Sequence, residues 1–352
     1  MTARFATQTG TQAYSTRFPE QTQQGFYRSV GELTVSSLGL GTYLGGLDEA
    51  TDEAYSQAIV AAVCGGINFL DAAINYRHQR SERSIGVALD YLFRGEFDRE
   101  QIVVCTKAGF LTPGALNPAT LRPEEIVGQM HAIAPDFLSD QIDRSRQNLG
   151  LETIDVFYLH NPETQLGFVD RPEFEKRIRQ AFARCEQAVG EGRIRWYGTA
   201  TWNGFRVKSD AAEWLPFERL VRLAREAGGE DHHFRFLQLP LNLAMTEAYG
   251  RANQPWLGQQ ISILEAAAKA GVHVVASASL LQAKLVKDLP EELRDKLGAF
   301  QTDAQRAIQF TRSTPGVDVA LVGMSQTAHV SENLMLSTVP PLTSEAHHGL
   351  FQ

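Results

Sequence analysis

The chain has 352 residues, a formal net charge of −8, and a composition of 43% hydrophobic and 21% charged residues. This composition is ordinary for a globular protein that buries a sizeable core. The acidic balance argues against nucleic acid and anionic membranes as partners, because phosphate contacts need clustered Lys and Arg.

The cysteines and the first residues bear on the cellular compartment. Cys64, Cys105 and Cys185 fall at unrelated spacings, which is typical of a protein from a reducing compartment. The amino-terminal stretch lacks the apolar segment of a signal peptide. The longest apolar tract, at 58–70, contains two glycines and Asn68, and is too short and too broken to span a bilayer. We therefore expect a soluble, cytoplasmic protein.

The chain divides into three segments by composition. Residues 1–24 are rich in Gln and Thr and have almost no apolar periodicity, which predicts a loosely packed extension outside the core. The stretch "GFYRSVGELTVSSLG" predicts a β-hairpin that turns at "VGE". We expect one catalytic domain over 25–338 and a tail over 339–352.

Short apolar runs alternate with amphipathic stretches after the hairpin. Every interval between runs is long enough for a crossover helix, so the strands are expected to be parallel and covered on both faces. Eight such units predict an α/β fold of the (β/α)8 TIM barrel type. A doubly wound sheet is the alternative, but "LGLGTYLGG" places Leu44 where its fingerprint needs a third glycine. The runs begin near Leu38, Ile67, Ile102, Ile154, Ile194, Phe234, Val272 and Val317.

Two long connections follow barrel strands, and the Pro-rich first half of the earlier one cannot be a crossover helix. They lie at 110–136 and 202–233, after the third and fifth predicted barrel strands. Loops after barrel strands belong to the active-site face, so both segments are candidate lids over a substrate. Their conformations do not follow from the sequence.

Polar side chains stand where three consecutive strands end. Strand two, "GINFLD", ends on Asp71; strand three, "IVVCTK", on Lys107; strand four, "IDVFYLH", on His160. Tyr76 lies in the turn after strand two. Taken singly, each residue could be a helix cap or a solvated side chain. Together at one rim they predict an acid–base site.

This set of side chains suits the reduction of a carbonyl group. A lysine ammonium about 4 Å from a phenolate interacts with it by roughly 4 kcal/mol at an effective dielectric of about 20. That energy equals about three pKa units, so we expect Lys107 to lower the pKa of Tyr76 towards the range of a general acid. Asp71 would keep Lys107 charged, and a neutral His160 would orient the substrate oxygen.

The motifs "DAAINYRHQRSERSIG", "CTKAG", "DVFYLHNP" and "GEGRIRWYG" resemble those of the aldo-keto reductase superfamily over about Gly25 to Asn333. The resemblance implies a catalytic tetrad of Asp71, Tyr76, Lys107 and His160. It also implies a nicotinamide cofactor that is bound without a Rossmann domain.

The resemblance extends to positions that contact the cofactor. Gly41 and Thr42 match the first loop, and Gln238 matches a carboxamide contact. The family's usual Ser-Asn pair after strand five is replaced by Ala200 and Thr201. The aromatic ring at strand seven is replaced by Ser277, followed by Ala278, Ser279 and Leu280. The full set of expected contacts at these strands is Gly41, Thr42, Thr201, Gln238, Ser277 and Leu280.

The segment "LVGMSQTAHVSEN" is similar to the family's adenosine-phosphate segment, where a helix N-terminus would face the phosphates. Members that prefer the 2′-phosphorylated cofactor often carry Lys or Arg at the positions of Gly323 and His329. The family's usual preference implies NADP(H), and NAD(H) stays open. The expected contacts are Gly323, Met324, Ser325, Gln326, His329, Glu332 and Asn333.

The expected function is an NAD(P)(H)-dependent oxidoreductase that acts on a small-molecule carbonyl or alcohol. The alternatives are an NAD-dependent sugar or alcohol dehydrogenase of the same family and a catalytically weak, cofactor-sensing binding protein. Tyr43, Phe110 and Trp202 are candidates for the pocket wall or for ordinary packing. No metal site is expected, because His232 and His233 have no carboxylate or thiol at ligand spacing. Substrate, reaction direction and oligomeric state are left undetermined.

Overall fold

The computed structural model describes residues 4–285 and 287–352. The strands are β1 Tyr27–Val30, β2 Leu33–Ser36, β3 Leu38–Gly41, β4 Phe69–Asp71, β5 Val103–Ala108, β6 Ile154–His160, β7 Ile194–Ala200, β8 Phe234–Pro240, β9 Gln254–Trp256, β10 Gln259–Ile261, β11 His273–Ser277 and β12 Val319–Gly323. The helices are α1 Gln8–Thr16, α2 Pro19–Gln23, α3 Glu49–Cys64, α4 Arg80–Arg94, α5 Pro135–Leu149, α6 Arg171–Gly190, α7 Phe217–Gly228, α8 Glu247–Gly250, α9 Ile263–Ala270, α10 Glu291–Leu297, α11 Asp303–Ser313, α12 Thr327–Leu334 and α13 Ser344–His348.

Eight parallel strands close into a barrel. Their order around the barrel is β3, β4, β5, β6, β7, β8, β11 and β12, and β12 pairs back onto β3. All eight runs expected from the sequence become barrel strands, so the (β/α)8 prediction is confirmed. Long helices cover the outside, and the strands are buried on both faces, as all-parallel sheets must be.

The barrel strands separate two apolar clusters. The larger cluster fills the shell between the strands and the surrounding helices and includes Ile85, Leu138 and Ile178. The smaller cluster fills the barrel interior and includes Phe69 and Tyr158. The polar strand-end residues therefore sit above a packed floor rather than over a channel.

Local sequence signals set the helix ends. Asp48 caps α3 by accepting a hydrogen bond from the Thr51 N–H. Ser262 and Glu265 form a capping box at the start of α9. Gly150 ends α5 with φ of +67°, a conformation that glycine adopts without strain.

The hairpin closes the amino end of the barrel. β1 and β2 pair antiparallel, with Val30 opposite Leu33 across a two-residue turn, which confirms the predicted hairpin. Val30, Leu33 and Val35 are buried and join the interior cluster. The hairpin is thus a plug that keeps water out of the barrel floor.

The expectation that residues 1–24 pack loosely is wrong for the described part, residues 4–24. Ala6 and Tyr14 are fully buried, and the Tyr14 hydroxyl donates to the Val63 carbonyl at 2.5 Å. The Ala6 N–H donates to the Asp155 carboxylate at 2.7 Å. These partners are distant in sequence, which is why apolar periodicity within the segment does not reveal them.

The two predicted lids differ in the structure. Before α5 begins at Pro135, the segment 110–136 contains two short 3₁₀ helices and isolated β-bridges from His131 to Phe110 and Val127. In the segment 202–233, α7 occupies Phe217–Gly228, so the prediction of one long loop there is wrong: a loop precedes the helix and a shorter one follows it. The apolar face of α7 explains the difference, since Phe217, Leu220 and Leu223 are buried against the shell.

The carboxyl-terminal tail also packs against the shell. In α13, His347 is fully buried, and its ring stacks on Phe310 with centroids 4.9 Å apart. The proposed boundaries of the catalytic domain, 25–338, stay a prediction. Within residues 4–285 and 287–352, no helix is both long and apolar enough to cross a bilayer.

Candidate active site

Three neighbouring barrel strands bring the predicted acid–base residues to one rim. Asp71 is the last residue of β4, and His160 is the last residue of β6. Lys107 stands one residue before the end of β5, between those two strands. Because the strands are parallel and adjacent, their carboxyl ends meet, and Tyr76 follows in the turn after β4. The structure thus gathers all four residues.

A buried ion pair forms the base of the site. The Lys107 ammonium donates to Asp71 Oδ2 at 2.6 Å and to the Ala72 carbonyl at 2.7 Å. Gln238 donates to Asp71 Oδ1 at 2.8 Å. Burial raises the pKa of Asp71, and Lys107 opposes that shift. Burial alone would lower the pKa of Lys107, but Asp71, Tyr76 and Cys105 together outweigh burial and raise that pKa.

Tyr76 lies directly against this pair. The Lys107 ammonium is 4.8 Å from the centroid of the Tyr76 ring, and part of the Tyr76 surface reaches solvent. Burial raises the pKa of Tyr76 and outweighs the ammonium, which lowers it. The expectation of a net downward shift in the pKa of Tyr76 is therefore wrong. Removing the phenolate from water raises the pKa by more than the nearby positive charge lowers it. Tyr76 holds its proton throughout the neutral range.

His160 lies between two aromatic rings. Its ring centroid is 5.7 Å from that of Tyr76 and 5.1 Å from that of Phe110, both edge to face. Burial and the nearby Lys107 charge hold the pKa of His160 well below its usual value, so the imidazole is neutral. Its Nδ1 is buried without a partner among residues 4–285 and 287–352. A proton on Nε2 avoids burying an unbonded N–H, which leaves Nε2 as a donor towards the open rim.

The expected cofactor contacts occupy the other arc of the rim. They follow the ends of β3, β7, β8, β11 and β12, which are neighbours in the barrel, whereas the tetrad follows β4, β5 and β6. The Thr42 hydroxyl donates to the Asp71 carbonyl at 3.0 Å, and Gly41 pairs with Asp71 in the parallel ladder. Ser277 and Leu280 are half-buried at the end of β11 and just after it.

Two side chains on this arc have free hydrogen-bonding groups. The Thr201 hydroxyl is buried without a partner in the described part of the chain. The amide nitrogen of Gln238 is engaged with Asp71, so its carbonyl oxygen is free to accept a hydrogen bond. A donor or acceptor at Thr201 and an acceptor at Gln238 fit the carboxamide of a nicotinamide ring.

The predicted phosphate segment spans the end of β12 and the start of α12. Gly323 and Gln326 are exposed, Ser325 is half-buried and Met324 is buried. Among the residues that the structure describes, no side chain caps α12, so its first N–H groups are available to an anion.

The residues expected to contact the adenosine portion of the cofactor follow on α12. His329 is exposed and Asn333 is buried. Glu332 is half-buried, and its carboxylate accepts a 2.6 Å hydrogen bond from the Thr302 hydroxyl, so its expected contact with the cofactor stays a prediction.

The three aromatic pocket candidates lie at the rim. The Tyr43 ring contacts the Tyr76 ring with centroids 4.9 Å apart, and Tyr43 is 53% exposed. Phe110 contacts His160, as described above. Trp202 is 40% exposed and begins the loop after β7. Tyr43 and Phe110 touch members of the tetrad, so these two are better placed than Trp202 to contact a substrate at the reacting centre.

A profile of the aldo/keto reductase family matches residues 37–217, just over half of the chain. The chain belongs to the aldo/keto reductase family. Membership confirms the expectation of an NAD(P)-dependent oxidoreductase that acts on carbonyl or alcohol groups.

Other members of this aldo/keto reductase family are similar along most of the chain. The D-threo-aldose 1-dehydrogenase of a Pseudomonas species is 28% identical over 336 residues, covering 86% of this chain and 89% of its own. The glycerol dehydrogenase of Gluconobacter oxydans superposes with a TM-score of 0.66 at 20% identity, covering 93% and 94%. An aldo/keto reductase of Klebsiella pneumoniae, solved with NADP and acetate, gives 0.61 at 20% identity, covering 91% and 92%. The structural likenesses support the barrel fold.

Two buried residues of this aldo/keto reductase site escaped the sequence analysis. His131, in the loop after β5, lies 2.7 Å from the His160 carbonyl through its Nε2. Glu163 accepts hydrogen bonds from the N–H groups of Trp202, Asn203 and Gly204 at 2.7, 3.0 and 3.3 Å. Glu163 thereby fixes the start of the loop after β7. Glu163 directly follows "HNP" in the strand-four motif, and this position could have identified it from the sequence. No local motif marks His131.

Proposed function

We propose that the protein is an NADP(H)-dependent oxidoreductase in which Tyr76 is the general acid for carbonyl reduction. The observation that carries the proposal is the buried Lys107–Asp71 pair beside Tyr76, with the neutral ring of His160 5.7 Å from the phenol ring. An acid, a charge that stabilises its conjugate base, and a neutral donor are the groups that protonating a carbonyl oxygen requires.

Each side chain has one task in this scheme. His160 donates a hydrogen bond from Nε2 to the carbonyl oxygen and holds it near the phenol. Tyr76 gives its proton to that oxygen as negative charge develops there. Lys107 stabilises the phenolate that results, and Asp71 keeps Lys107 protonated in a buried position. In the reverse direction the phenolate of Tyr76 takes the alcohol proton.

Residues on the opposite arc would hold the cofactor. Thr201 and Gln238 would bind the carboxamide through the free hydroxyl and carbonyl oxygen described above, and the open start of α12 would receive phosphate. When bound, the reduced nicotinamide supplies the hydride. The choice of NADP(H) draws on the Klebsiella relative, which was solved with NADP. His329, an exposed side chain on α12, is the residue placed to approach a 2′-phosphate. NAD(H) is the alternative cofactor.

The Pseudomonas relative favours a second candidate function, the oxidation of a sugar at its anomeric carbon. The same tetrad serves either direction, because a general acid for reduction is a general base for oxidation. A cofactor-sensing binding protein is the alternative from a different class, and it would bind cofactor without turnover.

Steady-state turnover separates these functions. Wild type is assayed with NADPH and NADH against aldehydes and ketones, and with NADP⁺ and NAD⁺ against alcohols and aldoses. Tyr76→Phe keeps the ring and removes the proton, so its kcat is expected to fall by about 10²- to 10⁴-fold, the usual contribution of a general acid. Equal rates for wild type and Tyr76→Phe would refute the role of Tyr76. Tight cofactor binding without turnover of any substrate would favour the binding protein.

A further inference from the structure

His131 connects the loop after β5 to the end of β6. It is fully buried, and its Nε2 lies 2.7 Å from the carbonyl oxygen of His160. Its ring also meets the Phe110 ring edge to face, with centroids 5.1 Å apart. Phe110 in turn contacts the His160 imidazole at the same centroid distance. His131 therefore touches both the backbone of His160 and the ring that packs against its side chain.

The tautomer of His131 follows from a chain of hydrogen bonds. The Arg177 guanidinium can only donate, and its Nη1 lies 2.7 Å from Gln165 Oε1, which fixes the orientation of the Gln165 amide. The Gln165 Nε2 must then donate to His131 Nδ1 at 2.8 Å. His131 Nδ1 is thus an acceptor, and Nε2 carries the proton that is donated to His160. Burial agrees with a neutral ring, since it lowers the pKa of His131 to about 4.

The backbone leaves little space at this contact. A Cβ atom at Gly109 would lie 2.5 Å from the His160 carbonyl oxygen and 2.7 Å from His131 Nε2. The Ala132 N–H donates to the Gly109 carbonyl at 2.8 Å, which ties the two ends of the loop together beside His160. The loop is therefore held tightly against the end of β6 at the position of His131.

His160 itself makes no side-chain hydrogen bond within the described residues. Its imidazole is oriented by its backbone and by the rings of Phe110 and Tyr76. A small rotation would move Nε2 away from the carbonyl oxygen that it must contact, and misplacement by about 1 Å can reduce a rate by about 100-fold.

We propose that His131 is a positioning residue for this reaction. By donating to the His160 carbonyl and packing on Phe110, it holds the His160 imidazole with Nε2 towards the substrate oxygen. Gln165 and Arg177 maintain the donating tautomer of His131. The proposal rests on the role of His160 in the proposed function and adds a residue that does not touch the substrate.

Two substitutions separate the hydrogen bond from simple packing. His131→Phe keeps a ring against Phe110 but removes the donor, and His131→Gln keeps a neutral donor of similar reach. We expect kcat to fall by about tenfold or more in His131→Phe and to stay within about threefold of wild type in His131→Gln. The Kd for NADPH, measured by fluorescence, is expected to stay unchanged in both. Equal losses in the two variants, or wild-type kcat in His131→Phe, would overturn the proposal.

Two further measurements keep the test decisive if His131→Phe does not fold. In wild-type protein without cofactor, nitrogen-15 NMR of the imidazoles is expected to show His131 protonated at Nε2, and protonation at Nδ1 would overturn the proposal. Gln165→Met removes the N–H that donates to His131 Nδ1 and maintains its tautomer. We expect kcat to fall by about threefold in this variant. Unchanged kcat in Gln165→Met would overturn the role of Gln165.

The two proposals also fail in different ways. If wild type is active and Tyr76→Phe is not, unchanged kcat in His131→Phe overturns the positioning role alone. If wild type turns over no substrate, the proposed function fails.

Discussion

A buried ion pair lies at each end of the barrel. At the amino end, Asp155 on β6 accepts hydrogen bonds from Arg99 at 2.7 Å, from the Val104 N–H on β5 at 2.8 Å, and from the Ala6 N–H at 2.7 Å. At the carboxyl end, Lys107 on β5 pairs with Asp71 on β4. Both carboxylates are almost completely buried.

The two pairs differ in what lies beside them. The Asp155 carboxylate accepts hydrogen bonds from main-chain groups of the amino-terminal segment and of β5, and it faces the packed end of the barrel. Within the described part of the chain the Lys107 ammonium donates to Asp71 and to Ala72, which leaves its third proton unengaged with either, and the Tyr76 ring lies beside it. A buried ion pair thus supports structure when main-chain N–H groups, besides the cation, donate to its carboxylate. It supports chemistry when a titratable group lies next to it.

Breaking the Asp155–Arg99 pair is expected to have the largest effect on the free energy of unfolding. Asp155→Asn places an amide where Arg99 and two main-chain N–H groups need an acceptor. Removing one partner of a buried pair costs about 3 to 5 kcal/mol. We expect urea unfolding to show that loss, while kcat per folded molecule stays close to wild type. A large fall in kcat without a loss of stability would contradict the assignment.

The second effect concerns acid stability at the carboxyl end. Burial lowers the pKa of His131 to about 4 in the folded protein, against about 6.5 when unfolded, so the folded state binds fewer protons. Stability should therefore fall as the pH drops from about 6.5 to about 4, by up to about 3 kcal/mol. His131→Gln does not titrate, so its unfolding free energy should depend less steeply on pH over this range. Identical slopes would show that His131 is not buried as a neutral ring.

Asp71→Asn makes the same change, from a carboxylate to an amide, in the Lys107–Asp71 pair. It can therefore be compared directly with Asp155→Asn. Without the carboxylate, burial lowers the pKa of Lys107, so the ammonium holds its proton less firmly and stabilises the phenolate less. We expect kcat to fall by about 100-fold, or about 2.7 kcal/mol in the activation free energy. Steady-state kinetics at saturating cofactor measures this. A variant that keeps full activity would show that the charge on Lys107 is not needed.

The smallest expected effect is on cofactor affinity, at the part of the rim opposite the tetrad. Thr201→Val removes the unpartnered hydroxyl and keeps the shape, so the Kd for NADPH should rise by about threefold to tenfold, as expected for one lost hydrogen bond. Thr199→Val is the matched control, because the Thr199 hydroxyl is also buried without a partner among the described residues but lies within β7. Equal effects of the two substitutions would place the cofactor elsewhere.

The barrel and the tetrad were predictable because both follow local rules. Apolar runs mark the strands, and Asp71 and His160 end theirs. The fixation of residues 4–24 was not predictable, because it depends on Asp155 and Val63, far along the chain. His131 was missed for the same reason, since its role depends on contacts with His160 and Gln165. The direction of the Tyr76 pKa was wrong because the sequence reveals the neighbouring charge but not how deeply the phenol is buried.

The central claim is that the Lys107 ammonium lowers the energy of the Tyr76 phenolate as the proton leaves. The direct test is the pH dependence of carbonyl reduction at saturating NADPH in wild type and Lys107→Met. The rate of carbonyl reduction by wild type should be constant through neutral pH and fall only in the alkaline range, because burial raises the pKa of Tyr76. Lys107→Met should be slower at every pH, with its alkaline fall moved to still higher pH. An alkaline fall at the same pH in both proteins would contradict the account.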